Sequence, residues 1–421
     1  MKVNFYKKLY NWSLIVFSLI YILLIYYYNY KKNFFLHDGD NYRGKFLEFY
    51  QNGYYKSVSE GTSILYNLVI YPFYLLTKDI VISIFCVNSI SHLLIIILSF
   101  KILKKFKSKN TLLVSHVCLV FFFYLINSNY FATGNNDIFL GVLIVFFFYI
   151  IFGFLNNEYS LKKNILLGLI IGLIFSTRAS GIFIVPIYML FCVVHFILNK
   201  NSIKQLVVTP LVALIVVFVF HFPSIVEKHK LSFEDKSPSG YSVNWIQRNY
   251  LGLKKIELGK ENMHRDAIWK NTKFEEVQTY VDQNGDASLP KSFFEFITKD
   301  PILAIKITAY NIGHIMIREI RFFGFLFLVI FYPILDFFKE KKMDRKYFSV
   351  YAFYIFCASI AFLTLTFVEY RWFAGYEVLI PLSFLVILKD RKFNENKYYL
   401  VLSLNLIFIT LANLKSLITL I

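Results

Sequence analysis

Apolar runs of membrane-crossing length alternate with short polar breaks along most of this chain. A helix needs about 20 largely apolar residues to cross a hydrocarbon core. Runs of that order, or somewhat shorter, occupy Asn11 to Tyr28, Ile64 to Leu76, Ile80 to Phe100, Thr111 to Asn127 and Ile138 to Leu155. Others cover Ile165 to Leu198, Gln205 to Phe222, Phe322 to Phe338, Phe348 to Phe367, Ala374 to Leu388 and Tyr398 to Leu414. No internal repeat and no low-complexity linker interrupts the series.

The run from Ile165 to Leu198 sets the expected topology. As one helix it would be on the order of 50 Å long, against a core of ~30 Å. Arg178 lies in its middle, within Ser176-Thr177-Arg178-Ala179-Ser180-Gly181, where a break is expected. A single crossing would invert every later loop and put the lysine clusters at 339–346 and 389–397 outside. Two short crossings keep them inside, in keeping with the positive-inside rule. The chain is therefore expected to be an all-α polytopic membrane protein with about 11 transmembrane helices, its N-terminus inside and its C-terminus outside.

On this scheme residues 1–222 form an N-terminal transmembrane module whose first outer loop, 29–63, carries juxtamembrane helices. Residues 223–300 form an extracytoplasmic loop subdomain, and 301–421 a C-terminal transmembrane module. Asp300-Pro301 has the residue types of an N-cap and a first helical position, starting an amphipathic segment that lies on the membrane.

Composition agrees with the membrane class. The 421 residues are 57% hydrophobic and 20% aromatic, and the mean hydropathy is +0.54. Tyr26-Tyr27-Tyr28-Asn29-Tyr30 reads as an interfacial aromatic belt. No cleavable leader is expected, since the segment after Lys7-Lys8 is long enough to span and no small-residue cleavage site follows. The net charge of +18 is spread over clusters between spans, such as Lys101 to Lys109. That is an orientation signal, and no nucleic-acid partner is expected. The four cysteines, Cys86, Cys118, Cys192 and Cys357, lie in apolar runs and show neither a disulfide framework nor a metal pattern.

Chemistry concentrates at the ends of spans. Leu36-His37-Asp38-Gly39-Asp40-Asn41-Tyr42 follows the first span, and isolated carboxylates there need a polar or aqueous site. Asp38 and Asp40 are candidate general bases for deprotonating an acceptor; an Asp-Gly turn alone also accounts for them. The stretch Asn41 to Tyr50 would lie along the membrane. Asn135-Asn136-Asp137 opens another span, so Asp137 is either an N-cap or a second acid assisting the acceptor. No metal cluster is evident, although a magnesium or calcium ion held by two aspartates stays open at this spacing.

Arg178 and Arg371 are the candidates for holding an anionic donor. Arginine near membrane depth costs about 2.5–3.5 kcal/mol on insertion scales and commonly faces a cavity. Its fork suits phosphate. Snorkelling, or pairing with Glu369 or Glu377, is the plainer account of Arg371. Lys31, Lys32 and Lys45 read as surface charges, and His92 and His116 as packing residues.

Taken in order, these segments resemble the type C (GT-C) glycosyltransferases, membrane enzymes that use polyprenyl-phosphate sugars. The resemblance is greatest to the protein O-mannosyltransferase and aminoarabinose transferase branch. It rests on Asp38-Gly39-Asp40-Asn41-Tyr42 with the later Gly53-Tyr54-Tyr55, on Tyr71-Pro72, on Gly168 to Pro186 around Arg178, and on Tyr370-Arg371-Trp372 followed by Pro381. It covers nearly the whole chain in order and topology, and the extended soluble C-terminal domain of some branches is not expected here. The resemblance implies an inverting transfer from a polyprenyl-phosphate-linked sugar donor to a lipid, glycan or protein acceptor. It implies a first-loop aspartate as base, with Asp38 the better match because it stands four residues before Tyr42. It also implies basic residues on the donor phosphate and an active site on the outer face of a membrane, expected to be a bacterial inner membrane.

Two other classes compete. An oligosaccharide polymerase or ligase of the O-antigen type also has many spans and a large outer loop, with arginines in late outer loops. A lipid-linked oligosaccharide flippase would be expected to show repeats and mid-membrane polar groups.

Overall fold

The computed structural model describes residues 39–106, 119–120, 123–124, 127, 134–155, 160–198, 203–232, 241–259, 268, 271–340, 347–364, 367–390 and 395–414. The expected first span, most of the run from 111 to 127, Asp38, Lys31, Lys32, His116 and Cys118 lie outside these residues. The described residues are helical, with no strand among them. They fall into two compact units, one drawn from Met1–Phe233, Glu319–Tyr354 and Tyr370–Ile421, the other from Glu234–Arg318 and Ile355–Glu369.

In the first unit α1 (Gly39–Ser59) is followed by α2 (Ile64–Thr77) and α3 (Ile80–Lys105). Next come α4 (Asp137–Leu155), α5 (Leu161–Thr177), α6 (Ile184–Leu198) and α7 (Ile203–Lys228). Among the described residues, four stretches are long and apolar enough to cross a membrane: Ile80–Lys105, Asp137–Leu155, Ala179–Phe196 and Val207–Lys228. Ile64–Thr77, Phe348–Leu363 and Tyr376–Ile387 are apolar but shorter.

The break expected inside the run from 165 to 198 is present. Helix α5 ends at Thr177, Arg178 is extended, and a 3-10 turn over Ala179–Phe183 leads into α6. Glycine lets α5 and α7 approach closely, because a Cβ on Gly172 would sit 2.5 Å from the Val216 Cβ. In α1 the chain kinks at Gly53, whose φ of 75° suits glycine. The face formed by Tyr42, Phe46 and Phe49 packs with Tyr66 and Ile70 of α2 in one buried cluster.

The apolar run from Phe322 to Phe338, read from sequence as one span, is broken. Helix α11 (Pro301–Phe323; α8 to α10 follow below) stops at Gly324, and a 3-10 segment (Gly324–Phe331) precedes α12 (Tyr332–Glu340). Gly324 has a φ of +71°, and Asn405 fills the space where a side chain would stand. The Asn405 amide donates to the Phe323 carbonyl at 2.9 Å and its carbonyl oxygen accepts from the Leu326 N–H at 3.1 Å. One buried side chain thus replaces hydrogen bonds that the interrupted helix gives up. Hydropathy cannot register such a break, because every residue around it is apolar.

The chain continues with α13 (Phe348–Leu363), α14 (Leu379–Asp390) and α15 (Glu395–Ala412). The second unit includes α8 (Trp245–Glu257), α9 (Phe274–Asn284) and α10 (Phe293–Lys299) around a core of Tyr250, Leu253, Phe274, Val277, Phe296 and Ile307. Asn244 and Gln247 form a capping box at the start of α8. Asp300 caps α11 through the Leu303 N–H at 3.1 Å, as its place before Pro301 suggests. Lys254 lies 2.5 Å from Asp300 and 2.7 Å from Glu257, and these carboxylates raise its ammonium. Lys254 and Lys306 in turn hold the Glu257 carboxyl below its usual range.

Candidate functional site

Three of the residues singled out from sequence meet at one point in the first unit. Asp137 begins α4, Arg178 sits in the break after α5, and Arg371 lies in a 3-10 turn (Tyr370–Phe373) that approaches α14. An Arg178 Nη1 contacts Asp137 Oδ1 in a charge-assisted hydrogen bond. Arg371 Nη1 stands 3.7 Å from Asp137 Oδ2. The three side chains are 1%, 10% and 5% exposed for Asp137, Arg178 and Arg371 respectively.

This placement corrects the simpler reading of Asp137. The N-cap is Asn136, whose carbonyl accepts the Leu140 N–H at 2.9 Å, and Asp137 is already helical. Its carboxylate is turned to two guanidiniums instead of to backbone N–H groups. A carboxylate in the first turn is also favoured by the helix dipole. The Arg371 side chain is buried beside Asp137, and Glu377 accepts a hydrogen bond from the Tyr124 hydroxyl.

Side chains clamp the backbone beneath Arg178. The last carbonyls of α5 lack helical partners; the Ser63 hydroxyl lies 2.7 Å from both the Ser176 and the Thr177 oxygen. The Asn136 amide donates to the same Thr177 oxygen at 3.1 Å. Asn135 is held in turn, its carbonyl accepting from Asn88 at 3.0 Å and from Tyr66 at 3.2 Å. The turn carrying Asp137 and the break carrying Arg178 are therefore fixed against each other.

Tyr42 ties the first-loop helix to the same cluster. Its hydroxyl donates to Asn136 Oδ1 at 2.7 Å, and the Arg178 Nη1 lies 3.5 Å from that oxygen. Asp40 stands apart: its side chain is 74% exposed, with Arg43 3.6 Å away. Asp38 lies outside the described residues. Lys45 pairs with Glu48 at 2.9 Å, as a surface charge would. His92 is buried with its ring 4.7 Å from the Tyr124 ring, a packing position.

Arg371 reaches Asp137 because two glycines let its loop lie on α4. A Cβ on Gly375, at φ +87°, would fall 2.5 Å from the Gly141 carbonyl oxygen. The Gly375 N–H donates to the Tyr124 hydroxyl at 3.1 Å, which locks the loop further.

Two buried arginines share one carboxylate here, and guanidinium groups of this kind match the geometry of an anion such as phosphate. The same arrangement does not fit a divalent cation, because the guanidiniums oppose a second positive charge at Asp137. No group of three or more His, Cys, Asp or Glu side chains comes together among the described residues. A hollow of about 520 Å³ in the second unit is lined by Asp286, Lys291, Glu295 and Lys299. Its lysines are spent internally, Lys291 on Asp286 and Lys299 on the carbonyls of Ala287 and Ser288.

Asn136, Tyr66, Asn88, Ser63 and Gly375 were not singled out from sequence as parts of a site. A polar side chain within an otherwise apolar run, as at Asn88, was the one signal available. Comparison of the chain with family models, with curated proteins and with solved structures finds no match.

Proposed function

We propose that this chain is an integral membrane glycosyltransferase that moves a sugar from a polyprenyl-phosphate donor to an acceptor at the outer face of the membrane. The observation that supports the reading is the meeting of Arg178 and Arg371 on buried Asp137, with Tyr42 of the first-loop helix joined through Asn136. A lipid-borne phosphate needs cations at the end of apolar helices, and the first loop has to reach the same place to bring a base to the sugar. About 11 spans with the first loop outside, and the type C architecture, belong to this proposal.

In the proposed reaction an acceptor O–H or N–H attacks the anomeric carbon from the face opposite the phosphate. The acceptor atom forms the new bond to that carbon, and its proton passes to the Asp38 carboxylate. The bond from the anomeric carbon to the phosphate oxygen breaks, its electron pair stays on the oxygen, and the configuration inverts. Arg178 and Arg371 stabilise the second negative charge as it develops on the leaving phosphate, an effect realised most fully in the transition state. Asp137, already facing two cations, serves as their counter-ion and not as the base.

The test is transfer from a purified polyprenyl-phosphate sugar by the protein in nanodiscs, with donor binding followed by native mass spectrometry. Binding and transfer from the monophosphate donor support the reading. Binding of pyrophosphate-linked oligosaccharides alone would favour a polymerase or ligase. Glycan and lipid profiles of membranes with and without the gene would identify the sugar and the acceptor.

A further inference from the structure

Glu377 is a buried acid that the proposed reaction does not use. It lies in the 3-10 turn Tyr376–Val378 that leads into α14, in the same loop as Arg371, and is 0% exposed. Its Oε1 accepts from the Tyr124 hydroxyl, while its Oε2 accepts no hydrogen bond among the described residues. Burying a carboxyl with an oxygen left over is costly, so stability alone does not account for it.

Its effect on Tyr124 does. A tyrosine hydroxyl has a single hydrogen to donate. Tyr124 directs that hydrogen to Glu377, which turns its oxygen, as acceptor, to the Gly375 N–H at 3.1 Å. The ring is itself well seated: Tyr124 is 1% exposed, with the His92 ring at 4.7 Å and the Phe123 ring at 5.4 Å. Gly375 in turn lies over the Gly141 carbonyl of α4, and the Ala374 N–H donates to the Arg371 carbonyl at 3.3 Å. The short segment from Arg371 to Glu377 is thus anchored at its far end by a tyrosine from a distant part of the chain. Arg371 Nη1 stands 3.7 Å from Asp137 Oδ2, just beyond hydrogen-bond reach, so a small shift of this segment changes what the guanidinium can meet.

We infer that Glu377 is a positioning residue for the phosphate site: acting through Tyr124 and Gly375, it sets where the Arg371 guanidinium stands. The inference rests on the donor reading above and extends it to a residue remote from the phosphate.

The full-length protein in nanodiscs can be titrated with farnesyl phosphate as the probe, with melting followed in parallel. Glu377→Leu removes the acceptor and is expected to weaken binding on the order of tenfold, the scale of one hydrogen bond to a charged group. Glu377→Gln keeps an oxygen for the Tyr124 hydroxyl and is expected to bind within about twofold of wild type. Tyr124→Phe keeps the ring, loses both bonds and should match Glu377→Leu, so it carries the test if Glu377→Leu does not fold. In an Arg371→Ala background Tyr124→Phe should weaken binding no further, because residues acting on one interaction are not additive. A merely structural carboxyl would lower melting and leave the affinity of the folded protein unchanged. Wild-type affinity in both Glu377→Leu and Tyr124→Phe, or a full further loss in the Arg371→Ala background, overturns this inference alone. Failure of the wild type to bind the probe overturns the donor reading along with it.

Discussion

The carbonyl oxygen of Gly141 occupies the place where Gly375 would carry a side chain, 2.5 Å from an ideal Cβ. This contact seats the loop bearing Arg371 on the first turns of α4, and so decides that Arg371 meets Asp137. Gly375→Ala adds both a clash with backbone and a strained positive φ. It should lower stability by about 1–3 kcal/mol and weaken phosphate-lipid binding. Thermal unfolding in detergent, run beside a binding titration, checks both. Wild-type values for the two would show that the contact positions nothing.

Arg371→Lys keeps the charge and loses the planar fork, so turnover should fall clearly. Arg371→Ala should be worse, on the order of 10²-fold or more in kcat, as for removal of a donor that stabilises developing charge. Steady-state transfer in nanodiscs separates kcat from KM. Full activity of Arg371→Ala would take this residue out of the site.

Tyr42→Phe removes the hydroxyl that donates to Asn136 at 2.7 Å. Leaving a buried acceptor short of one partner costs about 1–3 kcal/mol. The variant should melt lower than wild type and transfer sugar more slowly, since the first-loop helix loses its tie to the arginine cluster. Unchanged melting and turnover would argue that the loop is placed by apolar packing alone.

Asp38→Asn should bind the donor and lose transfer by about 10²–10⁴-fold, the usual range for removal of a general base. Asp40→Asn should cost far less, because Asp40 is solvent-exposed beside Arg43. An inactive Asp40→Asn with an active Asp38→Asn would reverse the assignment.

Topology is open to direct labelling. In a cysteine-free background, single cysteines at exposed Glu60 and Asp286 should react with an impermeant thiol reagent from outside, and one at exposed Lys104 should not. Ser57, although in the same loop, is buried and unsuitable. Labelling at Lys104 but not at Asp286 would invert the orientation and the mechanism with it.

The sequence by itself determined the helical class, some element boundaries, such as the starts at Ile64, Ile80 and Phe348, and the break at Arg178. These depend on hydropathy, on helix length against a bilayer and on local signals such as Asp300 before Pro301. It also singled out Asp137, Arg178 and Arg371, because a charge at the end of an apolar run is costly wherever the chain folds. Only the tertiary structure decided that these three share one point, since their meeting depends on contacts between distant segments. Glycine at 375 admits the Gly141 carbonyl, Ser63 and Asn136 hold the end of α5, and Tyr42 reaches Asn136 from another helix. The stop at Gly324 was hidden for the same reason. The Asn405 side chain, far along the chain, takes up the backbone groups freed at that stop, and no local pattern of apolar residues carries that information.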